Sequence, residues 1–255
     1  MRQLAAFLLC LSSAAAAQPP TWAPGMPWQP TAPYVTVGQD EAGYRNWYLA
    51  SPAHGTSVKA FNDYLEAWGV GNVVPTWQVL RTASDWQKCG APAFEVPPAA
   101  QWPNVVQTLR YIRDKVIPTV GPVEPVSAYR DPLLNHCAGG APESAHRYFQ
   151  AVDLVPLNPV TRGALIRELC AVHATSGQPY GVGLGFYVGL RFHIDSRKFR
   201  TWGINDQGGV ACARSFALAH AADAANAAAN AGAPIPSPPA GQQPDDPPTT
   251  EPPKT

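Results

Sequence analysis

The chain has 255 residues, 45% of them hydrophobic, and its 18 Lys and Arg are matched by 18 Asp and Glu, so its formal net charge is zero. That balance gives no sign of a polyanion partner such as nucleic acid, and no run beyond the first residues approaches the roughly eighteen apolar positions of a membrane span. The apolar content suffices for a core, and once the two ends are set aside the length fits one domain, expected to be a monomer.

Residues 1–17 read as a secretory signal peptide, with Arg2 as the positive end, Leu4 to Leu11 as the apolar stretch and Ala15-Ala16-Ala17 as the cleavage site. An exported protein, periplasmic or secreted, is expected. Cys10 would be discarded, leaving Cys89, Cys137, Cys170 and Cys212, an even set that in an oxidising compartment points to two disulfides. Of the three connectivities the reading leans to Cys89 with Cys137 and Cys170 with Cys212; the sequence leaves the others open. No C-x-x-C pair occurs, which disfavours cysteine ligation of a metal.

Residues 18–45, rich in Pro and Trp, are expected to form an irregular arm. Val58, Phe61, Tyr64, Leu65 and Trp68 recur at three and four and predict a helix from Ser57 to Val70, with a short helical stretch over Thr76 to Ala83 and a loop from Trp86 to Pro98. Trp102, Val105, Val106, Leu109, Ile112 and Val116 predict a second amphipathic helix, stopped by Pro118. A strand from Val123 to Tyr129 ends at Arg130, and a long loop marked by Pro132 and Gly139-Gly140 follows. Thr161 to His173 reads as a third long helix, and Gly181–Val188 with Leu190–Asp195 as a hairpin about Gly189. After Cys212 the composition turns to Ala and then Pro, Gln and Thr, and residues 216–255 are expected to be a disordered tail. The divisions are therefore signal peptide 1–17, arm and helical region 18–100, a core over 101–215, and tail. The fold class is α+β, with helices packed on a small, mainly antiparallel sheet.

Two blocks carry chemistry: Ser144 to Asp153, and Phe192-His193-Ile194-Asp195. They offer His146, Asp153 and His193, two imidazoles and a carboxylate, a set suited to a catalytic zinc that keeps a fourth position open. His146 and Asp153 are seven apart, about 10 Å along a helix, whereas two ligands of one zinc lie within roughly 4 Å of each other. The chain must therefore turn between them, placing His146 at the end of a loop and Asp153 on a strand over Ala151–Val155. In the second block Arg191, His193 and Asp195 share one strand face.

These blocks resemble the zinc DD-peptidases of peptidoglycan, whose fold also appears in the Hedgehog signalling domain. The resemblance runs from Ser127-Ala128-Tyr129-Arg130-Asp131-Pro132 through Asn135, Gly139-Gly140-Ala141-Pro142 and Ser144-x-His146-x6-Asp153. It resumes at Gly183-Leu184-Gly185-Phe186-Tyr187, Phe192-His193-Ile194-Asp195 and Arg200-Thr201-Trp202-Gly203, nearest the murein endopeptidase K branch. It implies one zinc on His146, Asp153 and His193, with water as the nucleophile and stem peptides as substrate. Arg130 would anchor a substrate carboxylate or carbonyl, for which a guanidinium offers a planar fork; a surface pair with Asp131 is the bland alternative. Arg191 is a second anchor, and Ser144 would orient His146 or line the site. Two positions depart from the pattern. Phe149 stands where a glycine is usual, and Leu190 where some members carry an acidic general base. Asp195 is the first substitute base, with a share equal to that of a carboxylate holding the His193 tautomer, and Glu143 is a weaker one. A non-catalytic zinc module that binds wall peptide or a protein is the rival function.

Overall fold

A computed structural model describes residues 29–203 and 210–213. The expected signal peptide, the first part of the arm and the tail lie outside these residues. Residues 29–40 are turns, and α1 (Glu41–Leu49) starts inside the expected arm because the Asp40 carboxylate accepts the Gly43 N–H at 2.7 Å and caps it. α2 (Pro52–Ala67) begins five residues earlier than the apolar repeat indicates, since Ser51 caps it and Pro52 occupies its first turn, where no N–H is missed. It buries Val58, Phe61 and Leu65. After α3 (Thr76–Val79), Arg81 forms an isolated antiparallel bridge with Phe94.

The second predicted helix runs through Pro118 instead of stopping there. α4 (Trp102–Tyr111) passes into a π turn over Ile112–Val116 and then α5 (Ile117–Val120), which ends at Gly121 with φ 80°. A proline ring clashes with the carbonyl four residues back and supplies no N–H; the widened turn just before Pro118 accommodates both defects.

Five strands follow: β1 (Val123–Ser127), β2 (Ala151–Pro156), β3 (Gly183–Phe186), β4 (Phe192–Asp195) and β5 (Arg200–Trp202). They lie in the order β1-β2-β4-β3-β5, every pair antiparallel except β3 with β5. The expected hairpin is β3–β4. β5 was not anticipated, being three residues with no alternation to mark it. Within the loop expected after Arg130 lies α6 (Pro132–Cys137), capped by Asp131, whose carboxylate accepts from Leu133 N at 2.7 Å and Leu134 N at 3.1 Å. α7 (Arg162–Ser176) has Thr161 as its cap. Cys89 bonds Cys137 and Cys170 bonds Cys212, the pairing favoured from sequence. Among the described residues no helix is long and apolar enough to cross a membrane.

Side chains alternate across the sheet. Val152, Leu154, Leu184, Phe186, Phe192 and Ile194 join Phe61, Leu109, Ile112, Leu165 and Leu169 in one core, which therefore spans the helical region before residue 100 as well as the sheet. The other face carries Asp153, His193 and Asp195.

Phe149 is the one non-glycine residue with positive φ among those described, at 54°. Its ring is fully buried, 5.7 Å from that of Phe61 and 6.2 Å from that of Tyr129. The left-handed turn that usually selects glycine costs an L-residue roughly 1–2 kcal/mol, and the buried ring offsets it. Phe149→Gly should therefore destabilise the protein, by about 2 kcal/mol or more in urea unfolding, because the core loses more than the turn gains. Glu95, half-buried beside Asp131, has its carboxyl pushed up to about 7, first by burial and then by Asp131. Its ordinary value is near 4.5, so stability should fall as pH rises from there towards 7 and level off above. In thermal melts Glu95→Gln should match the wild type at pH 4 and exceed it by about 1 kcal/mol at pH 8, the partial exposure of the group reducing the effect.

Candidate metal centre

Asp153 lies in the middle of β2, directly across from His193 on β4 and, through a bulge between Pro125 and Ser127, across from Ser127 on β1. His146 reaches the same point from a 3₁₀ turn over Ala145–Tyr148, not from a loop end; Ser144 caps that turn by accepting the His146 N–H at 3.4 Å. The ligand atoms of His146, Asp153 and His193 all lie within 4.8 Å of one another, and all three residues are buried. This group could hold a metal ion.

Each of the three is held from behind. The His146 Nδ1–H donates to the Ala128 carbonyl at 2.5 Å, which leaves the Nε2 lone pair facing Asp153 Oδ1 at 3.2 Å. Burial, then the nearby Arg130, lowers the His146 pKa to about 4, so at neutral pH no proton bridges that contact. Two lone pairs facing each other in a dry interior repel unless a cation lies between them. The donor set thus fits a metal on chemical grounds as well as spacing.

His193 differs. Its Nδ1 is 2.9 Å from Asp153 Oδ1 and its Nε2 is 3.0 Å from Asp195 Oδ2. Burial works against the charged ring, but the two carboxylates outweigh it and raise its pKa. Asp153 moves the opposite way: burial favours its neutral form, yet the hydrogen bond from His193 and the Arg130 charge hold it well below the usual carboxylate range. A metal at this point would replace the Nδ1 proton of His193 and leave Nε2–H on Asp195.

The structure divides the remaining predicted residues. Arg130 does not pair with Asp131, which is occupied as a helix cap. Its NH2 group donates to Asp153 Oδ2 at 2.7 Å and its Nε–H to Ser127 Oγ at 3.0 Å, with 9% of the residue exposed. The fork expected for substrate thus already grips the ligand carboxylate. Asp195 is fully buried, and its oxygens accept from His193, the Arg197 N–H at 2.9 Å and Arg200. Burial opposes ionisation, but these partners hold its pKa at about 2. It sits on the far nitrogen of His193, the position of a tautomer-setting group. Glu143 is exposed and paired with Arg197 at 3.1 Å. Arg191 lies with its guanidinium 4.0 Å over the Tyr187 ring, and its Nε is buried without a partner.

Sequence reasoning gave no role to Tyr187, Trp202, Ser127 or Arg200. Trp202 packs 5.2 Å from His193 and 5.1 Å from Tyr187, in space that exists only because Gly185 has no side chain: a Cβ there would come within 2.0 Å of the indole. The Tyr187 phenol is kept protonated, chiefly by burial and then by the Asp153 carboxylate. A Cβ at Gly183 would likewise meet Asp195 Oδ2 at 2.3 Å. The two glycines of the β3 motif were the available signal. No protein-family model, curated protein or solved structure matches the chain.

Removing the partner of a ligand should register as metal affinity. If the group holds zinc, Asp195→Asn should keep the fold, by circular dichroism, and weaken that binding about 10–100-fold in chelator competition.

Proposed function

We propose that this chain is an exported zinc metallopeptidase that cleaves a peptide bond in the stem or cross-link of peptidoglycan, with zinc on His146, Asp153 and His193. The observation that supports it most is the buried group of His146, Asp153 and His193, whose ligand atoms all lie within 4.8 Å of one another. The bond class comes from the motif resemblance around these residues. Two disulfides are consistent with an oxidising, extracytoplasmic compartment.

Bound zinc would supply a Lewis acid for the scissile carbonyl and acidify the attacking water. The protein's own groups prepare that chemistry. The Ala128 carbonyl and Asp195 fix the tautomers of the two imidazoles, so that the nitrogens nearest Asp153 are free to ligate. Arg130 aligns Asp153 and offsets its charge. Arg191, half-buried with its guanidinium stacked 4.0 Å over the Tyr187 ring, would offer its fork to a substrate carboxylate or carbonyl. The neutral Tyr187 phenol and the Trp202 ring form an amphipathic wall beside His193.

A second reading, a zinc module that binds wall peptide without cutting it, is favoured by the proton acceptors. Leu190 fills the position of the acidic base, Asp195 has its oxygens engaged, and Glu143 is ion-paired at the surface.

The test is digestion of purified muropeptides by the mature protein, with products identified by mass spectrometry and metal measured on the same sample. About one zinc per chain and a shortened or uncrosslinked peptide are expected, with both lost in His146→Ala and His193→Ala. Full metal occupancy in those variants would refute the site. Zinc-loaded protein that binds a muropeptide through Arg191 but releases no product would establish the binding module instead.

A further inference from the structure

The arm ahead of α1, which carries none of the motif resemblance, reaches the β3–β4 turn beside the metal centre. It is fastened to the core by side chains. Ser84 Oγ donates to the Tyr34 carbonyl at 2.8 Å, Trp86 Nε1–H to Thr36 Oγ at 3.0 Å, and the buried Gln39 amide to the Ala83 and Ala93 carbonyls, each at 3.2 Å.

From this base the Tyr34 side chain crosses to the turn. Its hydroxyl donates to the Val188 carbonyl at 3.2 Å and accepts the Leu190 N–H at 2.9 Å, so one group holds the chain on both sides of Gly189. Gly189 permits this twice over: its φ is 74°, and a Cβ there would come within 2.0 Å of the hydroxyl.

The next side chain after the turn is Arg191. Its guanidinium lies 4.0 Å over the Tyr187 ring and 5.8 Å over the Tyr34 ring, and the Tyr187 ring is 6.4 Å from that of His193. Other guanidiniums around the centre have carboxylate partners: Arg130 on Asp153, Arg197 on Glu143 and Arg200 on Asp195. Arg191 makes no ion pair with a described residue. Aromatic rings hold a cation without neutralising it, which leaves its charge for an anion arriving from solution.

We propose that Tyr34 is a positioning residue for ligand binding: its hydroxyl fixes the Gly189 turn and its ring fixes the Arg191 guanidinium, which meets a carboxylate of the ligand. Holding the guanidinium beforehand reduces the rotamer entropy that a long side chain loses on binding. The arm is thus part of the site although it lies far from it in sequence. The proposal rests on the reading of Arg191 as the substrate anchor.

The experiment uses the mature protein supplied with zinc and has two readouts. Without ligand, the Arg191 Nε–H signal, identified by its loss in Arg191→Lys, is followed by NMR relaxation. Its order parameter should fall below about 0.6, the flexible range, in Tyr34→Leu. With a disaccharide–pentapeptide muropeptide, Tyr34→Leu should raise KM, or Kd where nothing is cut, about tenfold and leave kcat within about twofold, as loss of uniform binding does. In an Arg191→Ala background the same change should add nothing. Tyr34→Phe, which keeps the ring and removes both hydrogen bonds, should lie between, with faster exchange of the Leu190 amide; it carries the comparison if Tyr34→Leu does not fold. An equal penalty in both backgrounds would make the arm purely structural and overturn the proposal, as would an unchanged Arg191 order parameter. A wild type that binds muropeptide without Tyr34–Arg191 coupling overturns this proposal alone. A wild type that neither cuts nor binds it overturns the peptidase reading and the ligand role of the pair together.

Discussion

The Asp153 carboxylate is the point on which the rest of this structure depends. One oxygen is shared by the ring nitrogens of His146 and His193 and the other is held by Arg130, and all four residues are buried. A buried charge so placed is tolerated only when it is paired and fully hydrogen-bonded. Removing a single partner would leave a costly remainder, and so the surrounding strands are constrained to keep all of them in place.

The sheet supplies that constraint through register. β2 is central, with Ser127 across from Asp153 on one side and His193 on the other. A one-residue slip on either side would turn the partner to the opposite face. The bulge in β1 brings Ser127 opposite Asp153, where its hydroxyl fixes the Arg130 guanidinium. On the far side of β4, Gly183 and Gly185 leave the volume that Asp195 and Trp202 occupy. Close backbone approach thus gives His193 both its tautomer and its wall.

The helical region ahead of the sheet acts as support. Arg81, 2% exposed, donates to the carbonyls of Gln39 and Pro125 and to the Glu124 carboxylate, and its own carbonyl accepts the Ala128 N–H. It thereby braces the end of β1, next to the Ala128 carbonyl that orients His146. Phe61 of α2 packs on Phe149, whose left-handed turn lies between His146 and Asp153. The segment with no motif support is thus continuous in packing with the segment that has it.

Periodicity and local chemistry were enough for most of the main helices, the β3–β4 hairpin and the grouping of His146, Asp153 and His193, because each rests on alternation, helical repeat or the distances a metal allows; the disulfide pairing was decided by the tertiary structure, since four cysteines allow three connectivities. Features that contradict local rules were not legible. The π turn absorbs Pro118 only because Ile112 and Val116 have a core to face, and Phe149 holds a glycine's conformation only because a pocket receives its ring. The roles of Arg130 and Asp195 were left open for the same reason. A side chain's type states which bonds it can make, whereas burial and register decide which it does make. Once Asp153 and His193 are buried, the nearest guanidinium and carboxylate are held by the charges they must neutralise.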